Sequence, residues 1–138
     1  MTNIEPMLAA HPVRADVEHP GWLAAVAACR DCAQICRNCA DACVSEGKGP
    51  ELIGCIRANL DCAAICDATA QVLSRTSEPN WPVVQELLDV CVLACRACAE
   101  ECGHHAEMME HCRICADSCS HCADRCSILR RGAGDAGA

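Results

Sequence analysis

The chain has 138 residues, room for one domain and too few for two of ordinary size. Its 11 Lys and Arg stand against 19 Asp and Glu, a formal net charge of −8. That balance excludes nucleic acid or an anionic membrane surface as the main partner, since both demand basic patches. With Trp22 and Trp81 as its aromatic residues and no Phe or Tyr, the chain has neither a base-stacking platform nor a ring-packed core.

Residues 1–19 read as a peripheral segment with a short extra helix between Pro6 and Glu18. The first long helix carries Cys29, Cys32, Cys36, Cys39 and Cys43, in steps of 3, 4, 3 and 4, and the Gly- and Pro-bearing stretch 45–50 ends it. The second carries Cys55, Cys62 and Cys66, in steps of 7 and 4. Residues 77–82 separate it from the third, with Ser77 and Asn80 available as N-caps and Pro suited to a first turn. The third carries Cys91, Cys95, Cys98 and Cys102, and Gly103, His104 and His105 make a tight connection to the fourth. The fourth carries Cys112, Cys115, Cys119, Cys122 and Cys126, again in steps of 3, 4, 3 and 4. Residues 132–138 are small and polar and are expected to fray as a flexible tail.

Alternating steps of three and four put the cysteines on one seam of each helix; a strand face needs steps of two. A unit C-R-x-C-A-x-x-C repeats at Cys29–Cys36, Cys36–Cys43, Cys95–Cys102 and Cys112–Cys119. Asn59 stands in the second helix where the same register calls for a cysteine. Short connections make the fold class all-α: residues 1–131 form a single domain, an antiparallel up-down-up-down four-helix bundle with a cysteine-lined core.

Antiparallel pairing then stacks the seams in layers about 5 Å apart. The first holds Cys43, Cys55, Cys102 and Cys112; the second holds Cys39, Asn59, Cys98 and Cys115. Cys36, Cys62, Cys95 and Cys119 follow, and then Cys32, Cys66, Cys91 and Cys122. The fifth layer holds Cys29, Thr69, Leu88 and Cys126. Beyond it lies an apolar plug of Trp22, Leu73, Val84 and Leu129. Beyond the first lie His104, His105, Met108 and His111, which marks that end as the opening.

Seventeen cysteines, about 12% of the chain, exceed the share that marks a thiol-dominated protein. An odd count, and an N-terminus with Glu5 and Pro6 where a signal peptide is basic and then apolar, oppose a secreted disulfide scaffold. No run of 18 apolar residues is present to span a membrane. The expected compartment is therefore the cytosol, where thiols stay reduced. Leu or Ile at these seam positions would bury more apolar surface, so packing does not explain the choice of sulfur.

Three chemistries compete for such a tube. A thiol redox buffer or oxidoreductase wants an exposed thiol of low pKa, and cysteines three or four apart on one helix are poorly placed for a disulfide. A zinc scaffold wants dedicated tetrahedral quartets. An iron–sulfur scaffold wants C-x2-C-x2-C-x3-C-P, which differs from the C-x2-C-x3-C-x2-C here. Cu(I) is soft, selects thiolate, and is satisfied by two or three bridging sulfurs with imidazole or thioether as further donors. On that reading all 17 cysteines are metal ligands, and sharing each thiolate between two ions sets a capacity of about one Cu(I) per cysteine.

The repeated C-R-x-C-A-x-x-C units and the segment from His104 to Cys126 resemble the cytosolic copper storage protein family, over nearly all the chain from Trp22 to Leu129. The resemblance implies storage of many Cu(I) ions per bundle, a homotetramer, a cytoplasmic home, and exchange with cytosolic copper donor or acceptor proteins. It also implies that histidines at the open end guide copper inward, matching His104 and His111, with His105 and Met108 as competitors for that place. No nucleophile–base or acid–base pair is visible, so the expectation is a binding protein and not an enzyme. The i, i+4 pairs Arg37–Asp41, Arg57–Asp61, Arg96–Glu100 and Arg113–Asp117 read as surface bridges.

Overall fold

A computed structural model describes residues 3–133, and residues 134–138 of the expected tail lie outside the described ones. The helices are α1 (Ile4–Ala9), α2 (Ala15–Glu18), α3 (Trp22–Ser45), α4 (Ile53–Leu73), α5 (Trp81–Gly103) and α6 (Glu110–Ala133). A 3₁₀ turn, Gly49–Leu52, leads into α4. The last helix thus includes Gly132 and Ala133, the first two residues of the stretch expected to fray.

Where one short N-terminal helix was expected, two form. Pro12 has no N–H to donate and disfavours helical conformation in the residue before it, which accounts for α1 ending at Ala9 and α2 starting beyond the proline. The α3–α4 connection turns at Gly47 and Gly49, whose φ angles of +68° and +60° lie in the left-handed region. Asn80 caps α5 as expected: its side chain accepts a hydrogen bond from the Val83 amide at 3.3 Å, and Pro82 occupies the first turn. The third connection is looser than expected, since residues 104–109 separate α5 from α6.

The long helices have 24, 21, 23 and 24 residues, or about 30–36 Å each at 1.5 Å per residue. α3 packs closely on α4 and α5 on α6, and the contacts of α4 with α5 and α3 with α6 close the ring. Ala33, Ala40, Ala63 and Ala123, each following a seam cysteine, are buried between neighbouring backbones. Their small side chains leave room for helices to approach and bring facing sulfurs together.

One end of the bundle is sealed. Trp22, Leu73, Leu88 and Leu129 are fully buried there with Val26 and Val84, and the Trp22 indole N–H donates to the Leu73 carbonyl at 2.7 Å. Trp81 meets Trp22 edge-on at 5.6 Å between ring centroids, and the His19 ring lies 4.3 Å from Trp81. α1 and α2 lie against α3. No helix among the described residues is long and apolar enough to cross a membrane.

Of the expected surface bridges, Arg113–Asp117 forms at 3.0 Å. Arg37 turns instead to Asp67 on α4 at 2.6 Å, with Arg30 at 3.9 Å from the same carboxylate. The pairs expected for Arg57 and Arg96 do not form among the described residues. An arginine on a helix edge reaches a neighbouring helix as readily as its own next turn, and α4 lies close beside α3.

Candidate metal centre

All 17 cysteines are free thiols and all are buried, none more than 2% exposed. Their side chains fill the space between the four long helices and keep the predicted order along the axis. Cys55 and Cys102 stand 3.3 Å apart near the α3–α4 connection, Cys62 and Cys95 3.8 Å apart in mid-bundle, and Cys29 and Cys126 3.5 Å apart at the sealed end. Thr69 and Leu88 complete the last layer without sulfur; the Thr69 hydroxyl is satisfied by the Ile65 carbonyl at 2.8 Å.

The layers are not separate quartets. Cys32 lies 4.0 Å from Cys62 and 3.7 Å from Cys119, both one layer on, and Cys36 contacts Cys98 at 4.0 Å and Cys115 at 3.8 Å. Groups of four sulfurs with all members within 4.8 Å include Cys29, Cys91, Cys122, Cys126; Cys32, Cys66, Cys95, Cys122; Cys32, Cys36, Cys62, Cys119; and Cys36, Cys98, Cys115, Cys119. Cys32, Cys36, Cys119 and Cys122 each belong to two of them. Shared vertices suit a metal whose ligands bridge, and they deny zinc the closed tetrahedral set it prefers.

Asn59 occupies a polar gap within the sulfur column. Its Oδ1 accepts from Cys115 at 3.0 Å, Cys98 at 3.1 Å and Cys102 at 3.4 Å, while its Nδ2 donates to Cys55 at 3.6 Å. The buried amide is therefore satisfied entirely by thiols.

Protonation follows from these contacts and from burial. Cys43 and Cys112 are raised above the usual thiol range, burial being the largest cause. Cys126 is raised by its hydrogen bonds with Cys122 and Cys29, while Cys29 is lowered to about 6 by those from Cys122 and Cys126. Cys39 is lowered to about 5 through hydrogen bonding with Cys102 and Cys55, His111 contributing. A full set of bare thiolates in this interior is prohibitively costly, so the metal-free core is held largely as neutral S–H groups bonded to one another.

The histidine end carries a mixed group: Cys39, Cys43, Cys112 and His111 have ligand atoms within 4.8 Å of one another. His111 Nδ1 lies 3.4 Å from Cys39 Sγ and 3.6 Å from Cys112 Sγ, and its Nε2 lies 2.8 Å from a Glu46 carboxylate oxygen. Burial disfavours the charged ring, but hydrogen bonds with Cys39 and Glu46 outweigh it and raise the His111 pKa. His104 is exposed on the α5–α6 connection. His105 is half-buried, 4.0 Å from Glu101, and Met108 is 77% exposed while its neighbour Met109 is buried. Of the residues expected at the opening, His111 is thus the imidazole in contact with thiols. Glu46 was not singled out in the sequence; the available sign was an acidic residue at a helix C-terminus, where the macrodipole disfavours it.

A family model described as copper storage protein matches residues 20–131. The structure of the copper storage protein Ccsp from Streptomyces lividans, loaded with 10 copper equivalents, is 40% identical in sequence. It covers 94% of this chain and 98% of that one, with a TM-score of 0.87. A cytosolic copper storage protein from Streptomyces lividans, in a structure of copper loading with five coppers, is 43% identical over 83% of this chain and 96% of that one, TM-score 0.80. Metal-free copper storage protein 3 from Bacillus subtilis is 34% identical over 80% of this chain and 96% of that one, TM-score 0.65.

Proposed function

The chain belongs to the copper storage protein family, and from that premise we propose that it stores many Cu(I) ions on the cysteines lining its core. The observation that carries the reading is the continuity of the sulfur groups: Cys122 links one quartet to the next, and so does Cys32. Successive ions can then share thiolates along the bundle. All 17 cysteines serve as ligands, at about one Cu(I) per thiolate when each sulfur bridges two ions. Each ion displaces a thiol proton, so the filled core approaches neutrality.

Copper enters at the end bearing His111, where imidazole, Cys39, Cys43 and Cys112 form the outermost ligand set; His104, exposed on the α5–α6 connection, serves as a first contact. The opposite end is blocked by Trp22 and its apolar neighbours. By likeness to the Streptomyces lividans protein the store is cytosolic, supplied and emptied by copper donor and acceptor proteins of that compartment.

A homotetramer completes the reading. Leu60, Val83, Val90 and Leu93 on α4 and α5 are 50%, 49%, 45% and 69% exposed, and an apolar surface of this kind suits contact with further copies. Binding, with no catalysis, is the role assigned to the thiols. The test is anaerobic titration of the reduced protein with Cu(I) against a competing chelator. Saturation well above ten equivalents is expected, and an end point at one or two would refute storage.

A further inference from the structure

Glu46 follows the last residue of α3, and its backbone N–H completes that helix by bonding to the Ala42 and Cys43 carbonyls. A carboxylate here opposes the negative end of the helix dipole, so the position breaks a local rule without local compensation. Its side chain instead crosses the bundle end to His111, in the first turn of α6, at 2.8 Å from Nε2. The two side chains are 32% and 27% exposed, partly withdrawn from water.

A carboxylate only accepts hydrogen bonds, and a neutral imidazole carries one N–H. The Glu46 contact therefore requires that hydrogen on Nε2. In the neutral ring, the form that can bind a metal, Nδ1 then carries the lone pair and faces Cys39 and Cys112, 3.4 Å and 3.6 Å away; in the protonated ring the same nitrogen donates toward Cys39. Other acids near this end are engaged elsewhere: Glu110 pairs with Arg113, and Glu101 lies beside His105.

We propose that Glu46 is a positioning residue for copper uptake, holding His111 as the Nε2–H tautomer so that Nδ1 is presented to Cu(I) arriving among Cys39, Cys43 and Cys112. The inference rests on the reading of His111 as a ligand at the opening. Histidine ligands to metals commonly donate their other ring N–H to a carboxylate, which fixes the tautomer and the ring orientation. Without Glu46 the ring is free to rotate and to exchange tautomers, and the outermost nitrogen donor is no longer preset. The cysteines behind it are untouched, so the effect falls on rate and not on capacity.

The experiment is anaerobic stopped-flow loading of the reduced full chain from a Cu(I)–chelator complex, for wild type, E46A, E46Q, H111A and the E46A/H111A double variant. E46A and H111A should each slow the first phase about tenfold, and the double variant should be no slower than H111A. E46Q, whose amide oxygen still accepts from Nε2–H, should recover most of the rate. Total copper bound should be equal in wild type, E46A and E46Q, which keep every ligand. Nitrogen NMR of His111 in the reduced, metal-free protein, at a pH high enough for the ring to be neutral, should show the Nε2–H tautomer in wild type and a mixture in E46A. Wild-type loading by E46A beside a slow H111A overturns the role of Glu46, as does a double variant in which the two effects multiply. Wild-type loading by H111A itself overturns the reading of His111 at the opening, a result distinct from either.

Discussion

Asn59 on α4 accepts a hydrogen bond from Cys115 on α6 at 3.0 Å, across the diagonal of the bundle. Helices on opposite corners of the ring are joined here through a single amide, which also receives Cys98 from α5. Replacing Asn59 with Ala leaves those buried thiols without their acceptor and opens a void. A loss of about 1–3 kcal/mol in the stability of the reduced, metal-free protein is expected. Urea denaturation under anaerobic conditions measures it, and an unchanged midpoint would show that the amide contributes nothing to the fold.

At the sealed end, Trp22 combines full burial with an indole hydrogen bond to the Leu73 carbonyl. Trp22→Ala should cost about 3–5 kcal/mol through the cavity and lost contacts. Trp22→Phe keeps much of the volume and removes the donor, leaving the Leu73 carbonyl unpaired; about 1–3 kcal/mol is expected. Comparing the two by thermal melting separates packing from hydrogen bonding.

Copper affinity should fall with pH. Cys43 and Cys112 hold their protons more tightly than ordinary thiols because burial disfavours the thiolate. Cu(I) must displace those protons, so lowering pH raises the competition, by about tenfold in affinity per pH unit for each proton released. Chelator competition at pH 6 and pH 8, with the chelator's own pH dependence known, gives the slope. A flat profile would mean that the thiols are already ionised.

Loading should also stabilise the fold, because the ligand set exists only in the folded bundle. Ligand at a hundredfold its dissociation constant adds about 2.7 kcal/mol for one site, and successive ions add further. The melting temperature should climb with each copper equivalent and return when a Cu(I) chelator strips the metal. Differential scanning calorimetry follows both directions; a melting temperature indifferent to copper would place binding outside the core.

In metal-free protein the ion pair of His111 with Glu46 should favour acidic conditions. The His111 pKa is raised in the folded state, so its contribution is complete below the unfolded value of about 6.5 and is lost as pH rises through the folded value. The stability difference between wild type and E46Q should therefore shrink from pH 5.5 to pH 8.5. A constant difference would show that the ring's charge does not matter to the fold.

Much of this molecule is written in the spacing of its cysteines. Steps of three and four confine sulfur to one face of each helix, and helical geometry permits no other reading. With turn residues at 45–50 and 77–82, that spacing determines four antiparallel helices, a sulfur interior, and the residues sharing each level of the core. The apolar seal at Trp22 and the position of Asn59 among thiols were legible for the same reason, because both follow from register alone. Tertiary structure decided what register does not contain: how far each helix slides along its neighbour. That offset sets Cys32 and Cys36 between levels, so the quartets share corners and do not stand apart. It brings His111 against Cys39 while His104 stays exposed, and it delivers Glu46 to His111 from 65 residues away. Such contacts depend on packing between helices and on the path of the connections, and those are energies of the whole fold, not of any segment.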